Sequence, residues 1–154
     1  MTTTTNLLGM LAPADRDRLL AIATEVSFPA GARIFEESST ADRFWIIHTG
    51  TVTLDVHVAG RLRPATVDSI GRGELLGWSW LIPPHTWQLG AEAQSPVRAL
   101  EFDAAAVRTL CEEDPRLGQA LTRGVAEVVG RRLQSTRTRL LDLYGPGSAG
   151  RWPA

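Results

Sequence analysis

The spacing of hydrophobic positions changes twice along the chain, which predicts a helical start, a strand-rich middle and a helical end. Near the start, apolar residues recur at helical spacing, at Leu7, Leu11, Leu19, Leu20 and Ile22. Pro13 stands near the beginning of this short amphipathic helix, where proline is well tolerated. Turn-forming residues fill positions 27–31, so we expect the helix to end near Val26.

From about residue 26 to about residue 102 the apolar period becomes two, which is the spacing of strands. Residues 51–58 alternate strictly, and the apolar ones fall on one face, at Val52, Leu54, Val56 and Val58. Residues 44–47 are predicted to form a more fully buried strand, and residues 59–60 the tip of a hairpin. Several short strands with glycines near their ends indicate a β-barrel or a jelly-roll-like double sheet.

The last third returns to helical spacing. Asp103 is placed to cap a short helix, and Asp114 followed by Pro115 begins a second one. The second helix is predicted to reach about residue 143, a length of some 30 residues or about 45 Å. Such a helix projects beyond a small domain, so we expect its apolar stripe to pair with a second copy of the chain. The predicted homodimer interface comprises Leu117, Leu121, Val125, Val128, Leu133 and Leu140.

The length of 154 residues is that of one domain, which we expect to have flexible ends at residues 1–6 and 145–154. Cys111 is the single cysteine, so the chain forms no internal disulfide and suits a reducing compartment. The first residues do not resemble a secretion signal, and no apolar run reaches the roughly 18 residues of a membrane span. We therefore expect a cytoplasmic protein without membrane attachment.

The charge balance argues against a protein that binds nucleic acid through a strong basic field. The formal net charge is −1 at pH 7. Five arginines lie in the segment from Arg123 to Arg139, together with one acid, Glu127. We interpret this run as the solvated face of a helix rather than as a phosphate-binding surface.

Residues 71–93 stand out because three of the five tryptophans, Trp78, Trp80 and Trp87, lie there within ten positions. Pro83 and Pro84 interrupt the same segment, so it cannot form a plain ladder strand. A rigid, irregular segment with large aromatic faces is typical of a ligand cradle or a docking surface. A corner of the core beneath a loop remains the alternative at this point.

Three segments resemble the cyclic nucleotide-binding domain family. Residues 28–35 resemble its opening strand, residues 42–52 its glycine-ended strand, and residues 130–136 an R-R-L-Q-x-T stretch in the dimer helix of bacterial catabolite activators. The resemblance covers residues 7–143. It implies a mainly β fold with flanking helices: a double-stranded β-helix, or β-roll, at about 26–102 and a long dimerisation helix at about 114–143. The family includes the sensor domains of the catabolite activator and fumarate-nitrate regulator superfamily.

In that family a phosphate-binding cassette supplies a glutamate for the ribose and an arginine for the cyclic phosphate. Gly77 matches the cassette glycine, but Trp78 stands at the glutamate position and Trp87 or Gln88 at the arginine position. A second register, with residues 73–75 as G-E-L, fits the lead-in to the cassette better than the cassette itself. The resemblance implies a ligand site at Gly77, Trp78, Ser79, Trp80, His85, Thr86, Trp87, Gln88, Thr136 and Arg137.

The missing charges bear on the ligand. A buried phosphate without a cationic partner costs several kcal/mol or so in desolvation, which aromatic stacking does not replace. We therefore expect no tight binding of cyclic nucleotides in the usual mode. The cassette would instead take another small molecule, or a nucleotide weakly.

The relatives named above carry a helix-turn-helix domain after the dimer helix, and only about ten residues follow Tyr144 here. We therefore expect no direct DNA binding.

Two functions follow. The first is a dimeric regulatory module, standing alone, that binds a small ligand and signals to a partner protein through its long helix. The second is an interaction module without a ligand, in which the Trp/Pro loop and the long helix are docking surfaces and side chains fill the pocket. An empty cavity would favour the first, and tryptophans that plug it the second.

An enzyme of the cupin kind is a third alternative, because cupins are also barrels of short strands. Metal-dependent cupins need an H-x-H pair, whereas the three histidines, His48, His57 and His85, are at least nine residues apart. These histidines are also the only candidates for a haem ligand, and one cysteine is too few for an iron–sulfur cluster. We expect neither catalytic activity nor a metal or other cofactor.

Overall fold

The computed structural model describes residues 6–144. A short 3₁₀ turn at Leu8–Met10 precedes the first helix, and the remaining elements follow in the predicted order of helix, strands and helices. They are α1 (Pro13–Ala21), β1 (Thr24–Phe28), β2 (Arg33–Phe35), β3 (Arg43–Thr49), β4 (Val52–Val56), β5 (Ala65–Ile70), β6 (Leu75–Leu76), β7 (Gly90–Ala93), β8 (Val97–Asp103), α2 (Ala104–Glu113) and α3 (Pro115–Leu143).

The strands form two four-stranded antiparallel sheets that enclose the core. One sheet has the order β1-β8-β3-β6 and the other β2-β7-β4-β5. This arrangement confirms the predicted fold class, a mainly β double sheet with flanking helices and a long C-terminal helix. The first helix is shorter than predicted, because residues 24–28 pair with β8 as a strand.

The strict alternation predicted for residues 51–58 fails in the middle of β4. The register with β5 shifts between Leu54 and Asp55, so the inward and outward positions exchange there. Asp55 is buried in place of Val56, and Arg33 on β2 donates hydrogen bonds of 2.6 and 3.1 Å to its carboxylate. Val58 lies beyond the strand and is exposed.

Both C-terminal helices begin at the capping residues that were predicted from the sequence. The Asp103 carboxylate accepts a hydrogen bond from the Ala106 N–H at the start of α2. At the start of α3, the Asp114 carboxylate accepts from the N–H groups of Arg116 and Leu117. The end of α3 at Leu143 agrees with the prediction as well.

Two ion pairs fix the first turn of α3 against α1. The Arg116 guanidinium lies 2.6 Å from the carboxylate of Asp15, which is buried, and Arg18 lies 2.5 Å from Asp114. The hydrogen bond from Arg116 lowers the pKa of Asp15, and the hydrogen bond from Arg18 lowers the pKa of Asp114. The base of α3 is therefore anchored by charge as well as by apolar packing.

The N-terminal half of α3 packs on the chain's own core, which corrects part of the predicted dimer interface. Four of the six positions, Leu117, Leu121, Val125 and Val128, are buried by the chain itself. Helical spacing shows that a face is apolar but does not show which surface covers it. The other two positions, Leu133 and Leu140, are 69% and 53% exposed.

The distal half of α3 meets the sheets through arginines. Arg132 donates a hydrogen bond to the Leu75 carbonyl on β6. Two turns later Arg139 donates to the Val67 carbonyl on β5 and lies 2.7 Å from the Asp68 carboxylate. Within residues 6–144, no helix is both long and apolar enough to cross a membrane.

Candidate functional site

The candidate site lies in the loop of residues 77–89, which joins β6 to β7. Gly77 opens the loop at φ +96°, a left-handed conformation that favours glycine. Two tight turns follow, closed by hydrogen bonds from Leu81 N–H to the Trp78 carbonyl and from His85 N–H to the Ile82 carbonyl. The Pro83-Pro84 peptide at the centre of the second turn is cis.

Backbone hydrogen bonds hold the end of this loop against residues 38–41. The Ser38 N–H donates to the Trp87 carbonyl over 2.7 Å, and the Trp87 N–H donates to the Ser39 carbonyl over 2.9 Å. The Ala41 N–H donates to the His85 carbonyl over 2.8 Å. The backbone of the loop is therefore held at His85 and at both the N–H and the carbonyl of Trp87.

Two of the three loop tryptophans are part of the core. Trp80 is 0% exposed and stacks on Phe44, with 4.4 Å between ring centroids. Trp87 is 4% exposed and stacks on Phe35 at 3.9 Å. Both rings fill part of the interior of the β-roll. The alternative that this segment forms a corner of the core therefore holds for Trp80 and Trp87.

A small cleft of about 50 Å³ remains beside them. Half of the ten predicted ligand residues line it, namely Gly77, Trp78, Ser79, Trp87 and Gln88. The other lining residues are Phe35, Leu54, Leu89 and Arg132. A space of this size holds about three to five waters. It is far smaller than the roughly 300–1,000 Å³ of ordinary ligand pockets.

The other five predicted ligand residues do not line this cleft, and their role in ligand binding stays a prediction. Trp80 is enclosed in the core, and the backbones of His85 and Thr86 pair with residues 40–41. Thr136 and Arg137 lie on the exposed distal half of α3. The sequence resemblance aligned these positions with the cassette region and the dimer helix but did not specify their local side-chain directions.

Arg132 is the charged one among the four lining residues that the sequence interpretation missed. Desolvation lowers the pKa of its guanidinium, an effect that the more distant carboxylates of Glu74 and Asp68 partly oppose. Among residues 6–144, no carboxylate lies within 4.0 Å of Arg132. Arg132 is the second arginine of the R-R-L-Q-x-T segment, whereas the family resemblance implied ligand contacts at positions 136 and 137.

Arg33 differs from Arg132 because its charge is already matched by acids. Its guanidinium pairs with Asp55 at 2.6 Å, with Glu36 at 2.5 Å and with Glu92 at 3.5 Å. The hydrogen bonds from Arg33 to Asp55 are the largest cause that raises the pKa of Arg33. Arg33 therefore serves the fold of the second sheet and offers little charge to a ligand.

The remaining histidines lie apart from the cleft. His48 and His57 are exposed on β3 and after β4, respectively. Within the described part of the chain, no three His, Cys, Asp or Glu side chains are grouped so as to hold a metal ion.

Comparison with known proteins places this geometry in a family. The family model described as "Cyclic nucleotide-binding domain" matches residues 25–114. The chain belongs to the cyclic nucleotide-binding domain family. The matched range covers most of both sheets, the whole loop of residues 77–89 and α2.

Relatives of known sequence and structure support this family assignment. The chain is 30% identical over 127 residues to the CRP-like cAMP-activated global transcriptional regulator of Mycobacterium tuberculosis, covering 82% of this chain and 54% of the relative. It therefore spans about half the length of the curated relatives it matches. A structure from Geobacter metallireducens, described as a cyclic nucleotide-binding protein, is 33% identical with a TM-score of 0.73, covering 82% of this chain and 91% of that one.

The catabolite activator protein of Thermus thermophilus has the same fold. Its identity is 23% and its TM-score 0.72, with 90% of this chain and 62% of that chain covered. In this member of the cyclic nucleotide-binding domain family, Trp78 of the loop and Arg132 of α3 line the same cleft.

The close approach of Gly77 to Trp87 gives a test of this packing. A Cβ at Gly77 would lie 2.7 Å from the Trp87 ring, which is buried and cannot retreat. We expect Gly77→Ala to lower the free energy of unfolding by about 2–4 kcal/mol, from overpacking and left-handed strain together. Urea unfolding of wild type and variant measures this loss.

Gly73→Ala is the matched control. Gly73 has a similar φ of +81°, but nothing lies within 4 Å of its added Cβ. We expect a loss of about 1 kcal/mol from strain alone. Equal losses at the two positions would show that Trp87 does not pack against Gly77.

Proposed function

We propose that this cyclic nucleotide-binding domain is a cytoplasmic regulatory module, not an enzyme, that acts as a homodimer and signals to a partner protein. In this proposal its degenerate cassette takes no cyclic nucleotide in the usual mode and serves a smaller, non-standard ligand. The observation that carries the proposal is the small volume of the site, about 50 Å³, beside the stacked ring of Trp87.

The small volume of the cleft is the first support for the proposal. A cyclic nucleotide must place a base, a ribose and a phosphate, whereas the cleft holds about three to five waters. Enlarging it on the side of Trp87 would require this ring to leave its stack on Phe35. Burying a large aromatic side chain stabilises a fold by roughly 1.5–3 kcal/mol, which a ligand would have to offset.

Charge is the second support. The acid and the arginine of the family's cassette pattern are replaced by Trp78 and by Trp87 or Gln88. A cyclic phosphate placed against the loop would therefore lose hydration without gaining the usual ion pair. Arg132 supplies a cation from another element, and its position beside Leu75 differs from the cassette arginine's place in the loop.

A ligand-free interaction module is the second candidate. The burial of Trp80 and Trp87 favours it, because side chains occupy most of the space that a ligand would need. The remaining cleft and the half-buried Arg132 favour the first candidate. Both candidates use the long helix for their output, and the second also uses the Trp/Pro loop. Among the described residues, the distal half of α3 has the most exposed large apolar residues.

The nucleotide part of the proposal is tested by calorimetry with cyclic AMP and cyclic GMP. We expect no saturable heat at micromolar concentrations, and linear 5′-AMP should behave in the same way. Saturation by either cyclic nucleotide, absent with 5′-AMP, would contradict the proposal. Thr136→Ala and Arg137→Ala would then be examined, because the family resemblance implies a ligand contact at those positions.

The homodimer is tested at the exposed stripe of α3. Leu133 and Leu140 lie seven residues apart on one helix face, the spacing of paired helices. We expect sedimentation or light scattering to give a dimer mass at tens of micromolar. Leu133→Glu should weaken the dimer at least about ten-fold, because it places a charge in an apolar contact.

Ser135→Glu is the control for that variant. It adds the same charge to an exposed position on a different face of the same helix. We expect the dimer to persist in this variant. A monomer mass for the wild-type chain at all accessible concentrations would remove the homodimer from the proposal.

A further inference from the structure

The guanidinium of Arg132 lies in the cleft with much of its hydration removed and no carboxylate beside it. Its one hydrogen bond among the described residues is donated to the Leu75 carbonyl. A guanidinium has five N–H donors, so several of them are left for other acceptors. Arginine is a preferred partner of carboxylates and phosphates, because its planar fork matches two oxygens at once.

The surroundings of Arg132 add polar groups but no competing anion. Ser79 and Gln88 line the same cleft, and a hydroxyl and an amide both carry hydrogen-bond donors. The Gln88 side-chain N–H donates to the Thr86 carbonyl over 3.0 Å, which holds the amide in place. Trp78 and Trp87 form apolar walls, which lower the local dielectric constant and so strengthen an ion pair within the cleft.

The size of the cleft limits what would fit. About 50 Å³ corresponds to about three to five waters, and thus to a molecule of similar bulk. A tetrahedral inorganic oxyanion or a short carboxylate has that bulk, whereas a nucleotide or a sugar phosphate does not. A purely apolar molecule would leave the charge of Arg132 without a partner.

We propose that this cleft is a binding site for a small oxyanion, held by Arg132 of α3 together with the polar side chains of the loop. The inference rests on the proposed function in one respect, namely that a non-standard ligand replaces the cyclic nucleotide. Inorganic phosphate and short carboxylates share the required chemistry, and the experiment below distinguishes them. The bound anion would join the loop of residues 77–89 to α3 through one guanidinium.

Intrinsic tryptophan fluorescence reports on the site directly, because Trp78 and Trp87 line it. The full chain is titrated with sodium phosphate and, separately, with sodium acetate, with sodium chloride keeping the ionic strength constant. We expect a hyperbolic change with at least one of the two anions, and the one that binds more tightly identifies the class. Chloride alone should give no saturable change.

Variants separate a specific site from a general salt effect. Arg132→Gln should weaken anion binding about ten- to hundred-fold, the range expected when a charge-assisted hydrogen bond is lost. Arg131→Gln removes the same charge from the neighbouring exposed position and should leave the affinity within about two-fold of wild type. Arg132→Lys keeps the charge but lacks the planar pair of N–H donors, so it should give an intermediate affinity.

The outcomes are distinct. A saturable response that Arg132→Gln removes and Arg131→Gln retains supports the site. No response to either anion up to tens of millimolar, or equal responses in wild type and Arg132→Gln, overturns it. If Arg132→Gln fails to fold by circular dichroism, a wild-type affinity in Arg132→Lys overturns it instead. A negative result leaves the proposed function standing, because cyclic nucleotide binding is measured in a separate titration.

Discussion

The stacking of two indole rings in the core sets the volume of the cassette, and the properties of the site follow from it. Trp80 packs on Phe44 and Trp87 on Phe35, so the loop that carries them is drawn inward rather than left open around a ligand. Gly77 permits this closeness, because any larger residue would meet the Trp87 ring. Backbone hydrogen bonds to residues 38–41 then hold the loop in place.

The charge that lines the cleft comes from the long C-terminal helix. The loop has no cation between residues 77 and 89, and the guanidinium beside it belongs to α3. The position of α3 therefore matters to the site. Its N-terminal half is fixed by buried leucines and valines and by the Asp15–Arg116 and Arg18–Asp114 pairs. Its distal half is held by Arg132 and Arg139, which are polar contacts that a ligand or a partner can exchange more readily than apolar packing.

Local signals predicted the elements well. Asp103 and the Asp114-Pro115 pair fixed the starts of α2 and α3, because caps and N-terminal prolines act within one turn. The family resemblance of three separate segments led to the correct β-roll. The strict alternation predicted at β4 was wrong. A register shift between Leu54 and Asp55 exchanges the two faces of the strand, and the pattern of apolar residues does not show such a shift.

Contacts between distant parts of the chain could not be predicted from the sequence. Periodicity marked Leu117, Leu121, Val125 and Val128 as one apolar face of α3, but a fold was needed to show that the chain's own core covers them. Arg132 and Leu75 are 57 residues apart, so nothing local indicated that the guanidinium enters the cassette. Half of the predicted ligand residues reached the cleft, because the resemblance located the loop but not the direction of each side chain.

The most direct test of this account is a two-dimensional ¹H–¹⁵N NMR spectrum of the indole N–H groups, assigned with single tryptophan-to-phenylalanine variants. The account predicts slow solvent exchange for the Trp80 and Trp87 signals, faster exchange for half-buried Trp78, and no shift of the first two with millimolar cyclic AMP. Rapid exchange at Trp87 together with a saturable shift on adding cyclic AMP would show that the cassette opens around a nucleotide, and would contradict the account.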